Sequence, residues 1–207
     1  MFPFVESIKY SNYLHYNLKY HQARLDDTRS RFYPGVKPVM LKEVLVPPAE
    51  TIEDNIYKCR VIYGESISEI TYELYTPRII DQYYLLDCPE YFDYSYKFTD
   101  RSMFDNVRIN LKKNEDYIYI RNGLITDTSF ANLIFSDGNS LFTPADPLLK
   151  GTKRAYYIKQ GIIKEEEIKV NDLKKFKYLQ IINAMIDLES LQTYPCERLL
   201  ISKLVLK

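Results

Sequence analysis

The order of hydrophobic and polar residues along the first half of the chain predicts a mixture of strands and helices. A charge-rich helix over Leu18–Phe32 is expected to end before Pro34-Gly35, because proline and glycine interrupt helical continuation. Runs rich in Ile, Val and Tyr on either side of Gly64 favour a hairpin. The predicted strands of this half are 1–10, 56–63, 68–75 and 79–86.

The second half begins after a predicted connection at Cys88–Tyr94, which contains Pro89. Apolar residues at helical spacing predict a helix over Phe98–Asn110, and Asn122-Gly123 is a strong signal for a two-residue hairpin turn. The other predicted elements are strands at 117–120, 124–128, 132–135, 141–143, around Ile168 and at 178–182, and a helix at 152–160 closed by Gly161. These elements predict an α+β protein with a small N-terminal lobe at 1–88 and a larger C-terminal lobe at 89–207.

The composition narrows the classes of function. Lys+Arg and Asp+Glu balance at 28 each, so no excess charge indicates binding to nucleic acid or to a membrane surface. No apolar run approaches the ~18 residues of a membrane span, and the first ten residues lack the pattern of a signal peptide. Three widely spaced cysteines suit free thiols in a reducing compartment, and two histidines make a multi-histidine metal site unexpected. We therefore expect a cytoplasmic protein without a metal.

Five short segments contain residue types that bind anions or carry out amine chemistry. Each also fits an ordinary structural role, such as a solvated arginine on a helix, a surface lysine, a carboxylate at a strand edge or a junction between a loop and a helix. The five are His21–Leu25, Tyr94–Arg101, Asn122–Leu133, Leu148–Arg154 and Ile182–Met185.

In their order and spacing, these segments resemble those of the class IV aminotransferases. This family comprises pyridoxal-phosphate enzymes of fold type IV, among them branched-chain and D-amino-acid aminotransferases and aminodeoxychorismate lyase. The resemblance covers residues 1–190 and implies the two-lobed α+β fold of the D-amino-acid aminotransferase type. The usual N-terminal segment of the family is reduced here to Met1–Ile8, where Phe4–Ile8 resembles its end. A shortened N-terminal lobe is therefore expected.

The resemblance implies that pyridoxal 5'-phosphate is the cofactor and that Lys97, in the predicted C-terminal lobe at 89–207, is the catalytic residue that holds it as a Schiff base. Arg24 would bind the cofactor phosphate, since a guanidinium group matches phosphate oxygens bidentately. Asp127 stands where the family has glutamate and would pair with the pyridine nitrogen of the cofactor. Because aspartate has the shorter side chain, ring and strand would have to lie ~1 Å closer together.

The remaining cofactor-binding residues implied by the resemblance surround the phosphate. Gly151 permits close approach of the backbone, and Thr152 and Lys153 would donate backbone N–H groups at the start of a helix. Asn183 and Ala184 correspond to a segment that closes the phosphate site in the lyases.

Three functions remain open at this stage. The first is aminodeoxychorismate lyase, which converts 4-amino-4-deoxychorismate to 4-aminobenzoate and pyruvate for folate synthesis. Three features favour it, namely Arg101 after Lys97, the pair Asn183-Ala184 and the short chain. The alternative is a class IV aminotransferase acting on a small amino acid or amine. The third is a non-catalytic relative that uses the fold for binding. The expected partners are a small amino substrate and a second copy of the chain, since family sites lie near a dimer interface and a homodimer would close the pocket.

Overall fold

The computed structural model describes residues 3–89, 92–189 and 193–201. The chain divides into two compact units, the first containing residues up to Pro77 together with Tyr96–Asp100, and the second containing Arg78–Ser95 and the residues from Arg101 onward. Lys97 thus groups with the first unit, and the domain boundary after residue 88 stays a prediction. The connection predicted at Cys88–Tyr94 lies partly outside the described residues.

The first unit contains one antiparallel sheet with the strand order β2-β1-β3-β4. Its elements are β1 (Phe4–Ser11), β2 (Leu14–His15), α1 (Leu18–Phe32), α2 (Leu41–Val44), β3 (Tyr57–Tyr63) and β4 (Ile67–Leu74). The structure confirms the helix over Leu18–Phe32 and the hairpin around Gly64, which here joins β3 to β4.

The core of the first unit receives side chains from the sheet, from α1 and from the segment that carries Lys97. Phe4, Ile8 and Leu25 are completely buried. Phe98 pairs with Phe4 in an isolated antiparallel bridge, and the two rings lie 4.8 Å apart. Burial of one such side chain contributes about 1.5–3 kcal/mol. The aromatic side chain next to Lys97 therefore anchors this segment to β1.

The second unit is built on an eight-stranded mixed sheet. The main path runs β10-β9-β8-β7-β6-β5, and β11 pairs with both β8 and β12. The pairs β5–β6 and β9–β10 are parallel. Its elements are β5 (Gln82–Asp87), α3 (Ser102–Val107), β6 (Glu115–Arg121), β7 (Leu124–Thr128), β8 (Asn132–Ser136), β9 (Leu141–Pro144), α4 (Thr152–Lys159), β10 (Lys164–Glu166), a 3₁₀-helix (Val170–Lys175), β11 (Tyr178–Ile182), β12 (Tyr194–Pro195) and α5 (Glu197–Ile201).

The turn between β6 and β7 forms as the sequence predicts. Asn122 and Gly123 have φ values of 53° and 76°, the left-handed pair that a type I′ hairpin requires. The next turn returns the chain into β8, and Asp127 lies directly opposite Asn132 in the register of β7 and β8. Two residues of one sequence motif are thereby brought side by side.

Two local predictions are wrong. The helix expected over Phe98–Asn110 forms only at Ser102–Val107, because Phe98 packs in the core of the first unit and Thr99 donates to the Pro3 carbonyl. Ile168 lies outside the strands, although its carbonyl accepts a hydrogen bond from the Ile125 amide.

Two general expectations can also be compared with the structure. Cys59, Cys88 and Cys196 are free thiols, as predicted. Within the described ranges, no helix has the length and apolar character needed to cross a membrane.

Candidate active site

A buried carboxylate organises the charged residues of the first unit. Glu6 on β1 is completely buried and accepts hydrogen bonds from Arg24 Nε at 2.8 Å and Arg24 Nη2 at 2.6 Å. His21 Nδ1 lies 2.5 Å from the same carboxylate. His21 and Arg24 are three residues apart on α1 and therefore lie on one face of the helix.

The electrostatics of this cluster favour an ionised Glu6. Burial alone would raise the pKa of the Glu6 carboxyl, but the charge of Arg24 and the hydrogen bonds from His21 and Arg24 outweigh it and lower the pKa to about 2. Burial lowers the pKa of His21, and the charges of Arg24 and Lys97 act in the same direction, against the pull of Glu6. The cluster therefore combines the Glu6 carboxylate with the Arg24 cation.

Lys97 lies beside this cluster in the first unit. The Lys97 carbonyl accepts a hydrogen bond from the amide of Val5 at 2.9 Å, and Val5 is the residue that precedes Glu6 on β1. Its two neighbours, Tyr96 and Phe98, both pack against Phe32, with ring centroids 4.8 and 6.1 Å away. The Lys97 backbone is thus fixed on both sides by aromatic packing, while its side chain is half-buried.

A second buried carboxylate lies in the second unit. Asp127 on β7 accepts hydrogen bonds from Asn132 Nδ2 at 2.8 Å and from the Leu149 amide at 2.9 Å. Burial raises the pKa of Asp127 to about 7, although both hydrogen bonds and the charge of Arg154 lower it. Asp127 is therefore a carboxyl group that a neighbouring cation would hold ionised at neutral pH.

Asn132 links Asp127 to the start of α4. Its Nδ2 donates to the Leu149 carbonyl at 2.9 Å as well as to Asp127. Its Oδ1 lies so near Gly151 that a Cβ atom added there would be 2.0 Å away. The φ of Gly151 is −66°, which any residue can adopt. Space for Asn132, and not backbone conformation, therefore requires glycine at this position.

The first turn of α4 is unusual in its charge. Thr152, Lys153 and Arg154 are all buried, and no acidic residue lies in this turn. Two cations at the positive end of a helix are unfavourable unless anions lie nearby. Arg154 is paired with Glu165 at 2.7 Å, and Lys153 forms an ion pair with Asp187.

Asn183 and Ala184 follow β11 and form a tight turn. Asn183 Oδ1 accepts hydrogen bonds from the amides of Met185 and Ile186 at 2.8 and 3.1 Å, and its Nδ2 donates to the Phe130 carbonyl at 3.3 Å. Ala184 is half-buried within this turn. The turn is therefore attached to the loop that joins Asp127 to Asn132.

The structure thus brings the predicted residues together in two sets. Arg24 and Lys97 lie in the first unit, and the second unit holds Asp127, Gly151, Thr152, Lys153, Asn183 and Ala184. The sequence reasoning missed three supporting residues, Glu6, Asn132 and Asp187. Glu6 and Asn132 stand inside the motifs described above and could have been found there, whereas no signal in the sequence marks Asp187.

Comparison with known proteins identifies the family. The family model for class IV aminotransferases matches residues 67–190. An uncharacterized protein of Haemophilus influenzae is 30% identical over 187 residues, which are 89% of this chain and 98% of that protein. The chain therefore belongs to the class IV aminotransferase family, whose members depend on pyridoxal phosphate.

Solved structures confirm the fold type IV class. A Haemophilus somnus protein, provisionally named 4-amino-4-deoxychorismate lyase, has a TM-score of 0.81 and 31% identity over 89% of this chain and 97% of its own. A hypothetical aminotransferase from Mycobacterium tuberculosis in a pyridoxal-phosphate-bound form has a TM-score of 0.67 and 15% identity, over 89% of this chain and 78% of its own. The second likeness concerns the fold alone. The short chain is shared with the first protein and not with the second.

Proposed function

We propose that this protein is a pyridoxal-phosphate-dependent lyase that converts 4-amino-4-deoxychorismate to 4-aminobenzoate and pyruvate. The observation that carries the cofactor assignment is the buried Asp127–Asn132 pair beside Gly151 at the start of α4. The likeness to the Haemophilus somnus protein, at 31% identity over nearly its whole length, supports the choice of lyase chemistry.

The residues of the second unit fit the two ends of the cofactor. Asp127 is a buried carboxyl with a raised pKa, and a protonated pyridine nitrogen supplies the cation that would keep it ionised. Gly151 leads into the positive N-terminal end of α4, whose backbone N–H groups suit a phosphate group. Arg24, whose guanidinium group is held by Glu6, is the further residue proposed to bind phosphate, since a guanidinium group matches phosphate oxygens.

The catalytic role of Lys97 follows from amine chemistry. Bound pyridoxal phosphate supplies an aldehyde for amines and a protonated ring that withdraws electrons from the reacting carbon. Lys97 would attach the cofactor and be displaced from it by the substrate amine. Its freed Nζ would then take the proton from the ring carbon that bears the nitrogen. The C–O bond to the enolpyruvyl group breaks as the ring becomes aromatic, and the departing group takes up a proton to become pyruvate.

Arg101 supports the loop after Asp127. Its guanidinium group donates to the Ser129 carbonyl and to the Tyr94 hydroxyl, and lies 4.4 Å from the centre of the Phe104 ring. A loop fixed in this way holds Asp127 and Asn132 in register. These contacts give Arg101, one of the residues on which the lyase assignment draws, a structural role at this loop.

Product analysis tests the proposed reaction. Incubation with 4-amino-4-deoxychorismate should release equal amounts of 4-aminobenzoate and pyruvate, and Lys97→Ala should release neither. A parallel series combines single amino acids with 2-oxo acids. Transfer of amino groups in that series, without release of 4-aminobenzoate from the first substrate, would replace the lyase by an aminotransferase. Inactivity in both series, with no cofactor bound, would favour a binding protein.

A further inference from the structure

The ion pair between Lys153 and Asp187 joins two segments that lie far apart in sequence. Lys153 is the second residue of α4, and Asp187 directly follows the turn that runs from Asn183 to Ile186. The Lys153 side chain is only 4% exposed, whereas Asp187 is 29% exposed. A buried ammonium group needs such a partner, because an unpaired buried charge is strongly destabilising.

A second contact repeats the connection one helical turn later. The Tyr157 hydroxyl accepts a hydrogen bond from the Leu188 amide at 3.2 Å. Lys153 and Tyr157 are four residues apart and lie on the same face of α4, with the Lys153 ammonium 5.9 Å from the Tyr157 ring. The segment Asp187–Leu188 is therefore attached along this face of the helix.

The opposite end of the same turn is attached elsewhere. Asn183 donates to the Phe130 carbonyl, within the loop between Asp127 and Asn132. Residues 183–188 are consequently held at one end by the Asp127 loop and at the other by α4. The end near Leu188 is also held by β11, because Gln180 Nε2 donates to the Leu188 carbonyl at 3.3 Å, whereas the ion pair acts at Asp187 itself.

We propose that Lys153 and Asp187 form a positioning pair, which sets the distance between the amides at the start of α4 and the Asn183–Ala184 turn so that the two together hold a phosphate group. This inference rests on the proposed pyridoxal-phosphate function. It assigns a role to the Lys153 side chain beyond the backbone donor that the sequence motif suggests. Asp187 is a positioning residue that acts through Lys153.

The inference predicts an effect limited to the phosphate end of the cofactor. Lys153→Met and Asp187→Asn should each weaken binding of pyridoxal phosphate about 10-fold, the effect expected for loss of one charged hydrogen bond. Binding of pyridoxal, which lacks the phosphate, should change less than about 2-fold. Because the two residues act as one pair, the double variant should be hardly weaker than either single variant. Asp187→Glu, which retains the charge, should recover part of the loss.

Dissociation constants measured by cofactor absorbance and fluorescence test this, with Lys159→Met as the matched control. Lys159 is exposed in the same helix, so its replacement removes an equal charge without touching Asp187. Parallel losses for pyridoxal and pyridoxal phosphate would show a general structural role and overturn the inference. Unchanged affinity in Asp187→Asn, which is nearly isosteric and expected to fold, would also overturn it. If the wild-type protein bound neither compound, the proposed function itself would fail, and the inference with it.

Discussion

Arg24 holds the buried carboxylate of Glu6 through two guanidinium nitrogens, with N···O distances of 2.8 and 2.6 Å. A contact of this kind fixes the orientation of the planar guanidinium group. It also connects the first strand to the first helix, and so links the shortened N-terminal segment to the residue proposed for the cofactor phosphate.

The ionised Glu6 should make stability depend on pH in acid. Its pKa is about 2 in the folded protein against an ordinary value of 4.5, so its contribution is complete above pH 4.5 and is lost as the pH falls towards 2. This shift corresponds to about 3 kcal/mol. Urea unfolding between pH 6 and 2 should show that loss in the wild type and not in Glu6→Gln.

Glu73→Gln is the control for this experiment. Glu73 forms an exposed ion pair with Lys58, which contributes little to stability. The control should follow the wild-type curve throughout. An equally steep acid loss in Glu6→Gln would mean that other carboxyl groups cause it.

Replacing Arg24 in a Glu6→Gln background, where no buried carboxylate is left without its cation, should affect mainly the retention of the cofactor relative to Glu6→Gln alone. Arg24→Ala removes a charged contact of about 1.5–3 kcal/mol from the phosphate and leaves Lys97 in place. Dialysis should therefore strip cofactor faster from the double variant, and excess pyridoxal phosphate should largely restore turnover. Arg31→Ala, an exposed position on the same helix, serves as the control. Activity that stays low in saturating cofactor would assign Arg24 to the chemistry instead.

Gly151 should not tolerate even a methyl group while Asn132 is present. Gly151→Ala would place its Cβ 2.0 Å from Asn132 Oδ1 and displace the amide that binds Asp127. The expected cost is about 1–3 kcal/mol. Repeating Gly151→Ala in an Asn132→Ala background should remove most of that cost, as thermal unfolding can measure. Equal costs in the two backgrounds would indicate that the contact with Asn132 is not responsible.

Asp127→Asn should give a protein that is more stable without cofactor and much less active with it. The pKa of Asp127 is raised from 3.8 to about 7, so the folded state loses stability as the pH rises through this interval. The shift corresponds to roughly 4 kcal/mol, which the variant avoids at pH 8. Turnover should fall by orders of magnitude at saturating cofactor, because asparagine cannot hold the ring nitrogen protonated.

Two measurements check this pair of effects. Denaturant unfolding of the cofactor-free proteins at pH 5 and pH 8 should show the advantage of the variant mainly at pH 8. Asp146→Asn, at an exposed carboxylate paired with Arg121, should show neither effect. Near-normal turnover in Asp127→Asn would mean that another residue pairs with the ring nitrogen. The match between β7 and the corresponding strand of the family would then be wrong.

Local patterns in the sequence correctly predicted the elements whose bounds are set by neighbouring residues, such as helix-breaking and turn-forming pairs. The helix over Leu18–Phe32 ends before Pro34-Gly35, and the turn at Asn122-Gly123 has the positive φ values that this pair favours. The predicted helix at Phe98–Asn110 is too long because a tertiary contact decides its start. Phe98 packs on Phe4 instead of joining the helix. The spacing of apolar residues around Phe98 does not reveal this contact, because Phe4 is far away in the sequence.

The motifs indicated the site residues but not the contacts that hold them. Glu6 and Arg24 are 18 residues apart, and Lys153 and Asp187 are 34 apart. Such pairs form only when the strands and helices pack together in the folded chain, and a single sequence does not reveal that packing. The roles of the predicted site residues therefore stay predictions, and so does the homodimer.

Reduction with borohydride tests the role of Lys97 most directly. Borohydride fixes pyridoxal phosphate to the lysine that holds it, and peptide mass mapping then locates the modified residue. We expect purified protein loaded with pyridoxal phosphate to absorb in the near-ultraviolet or visible range and to carry one modification per chain, on Lys97. Lys97→Ala should carry none. A modification on Lys112, Lys150 or any other lysine, or no modification of the wild type, would contradict the assignment.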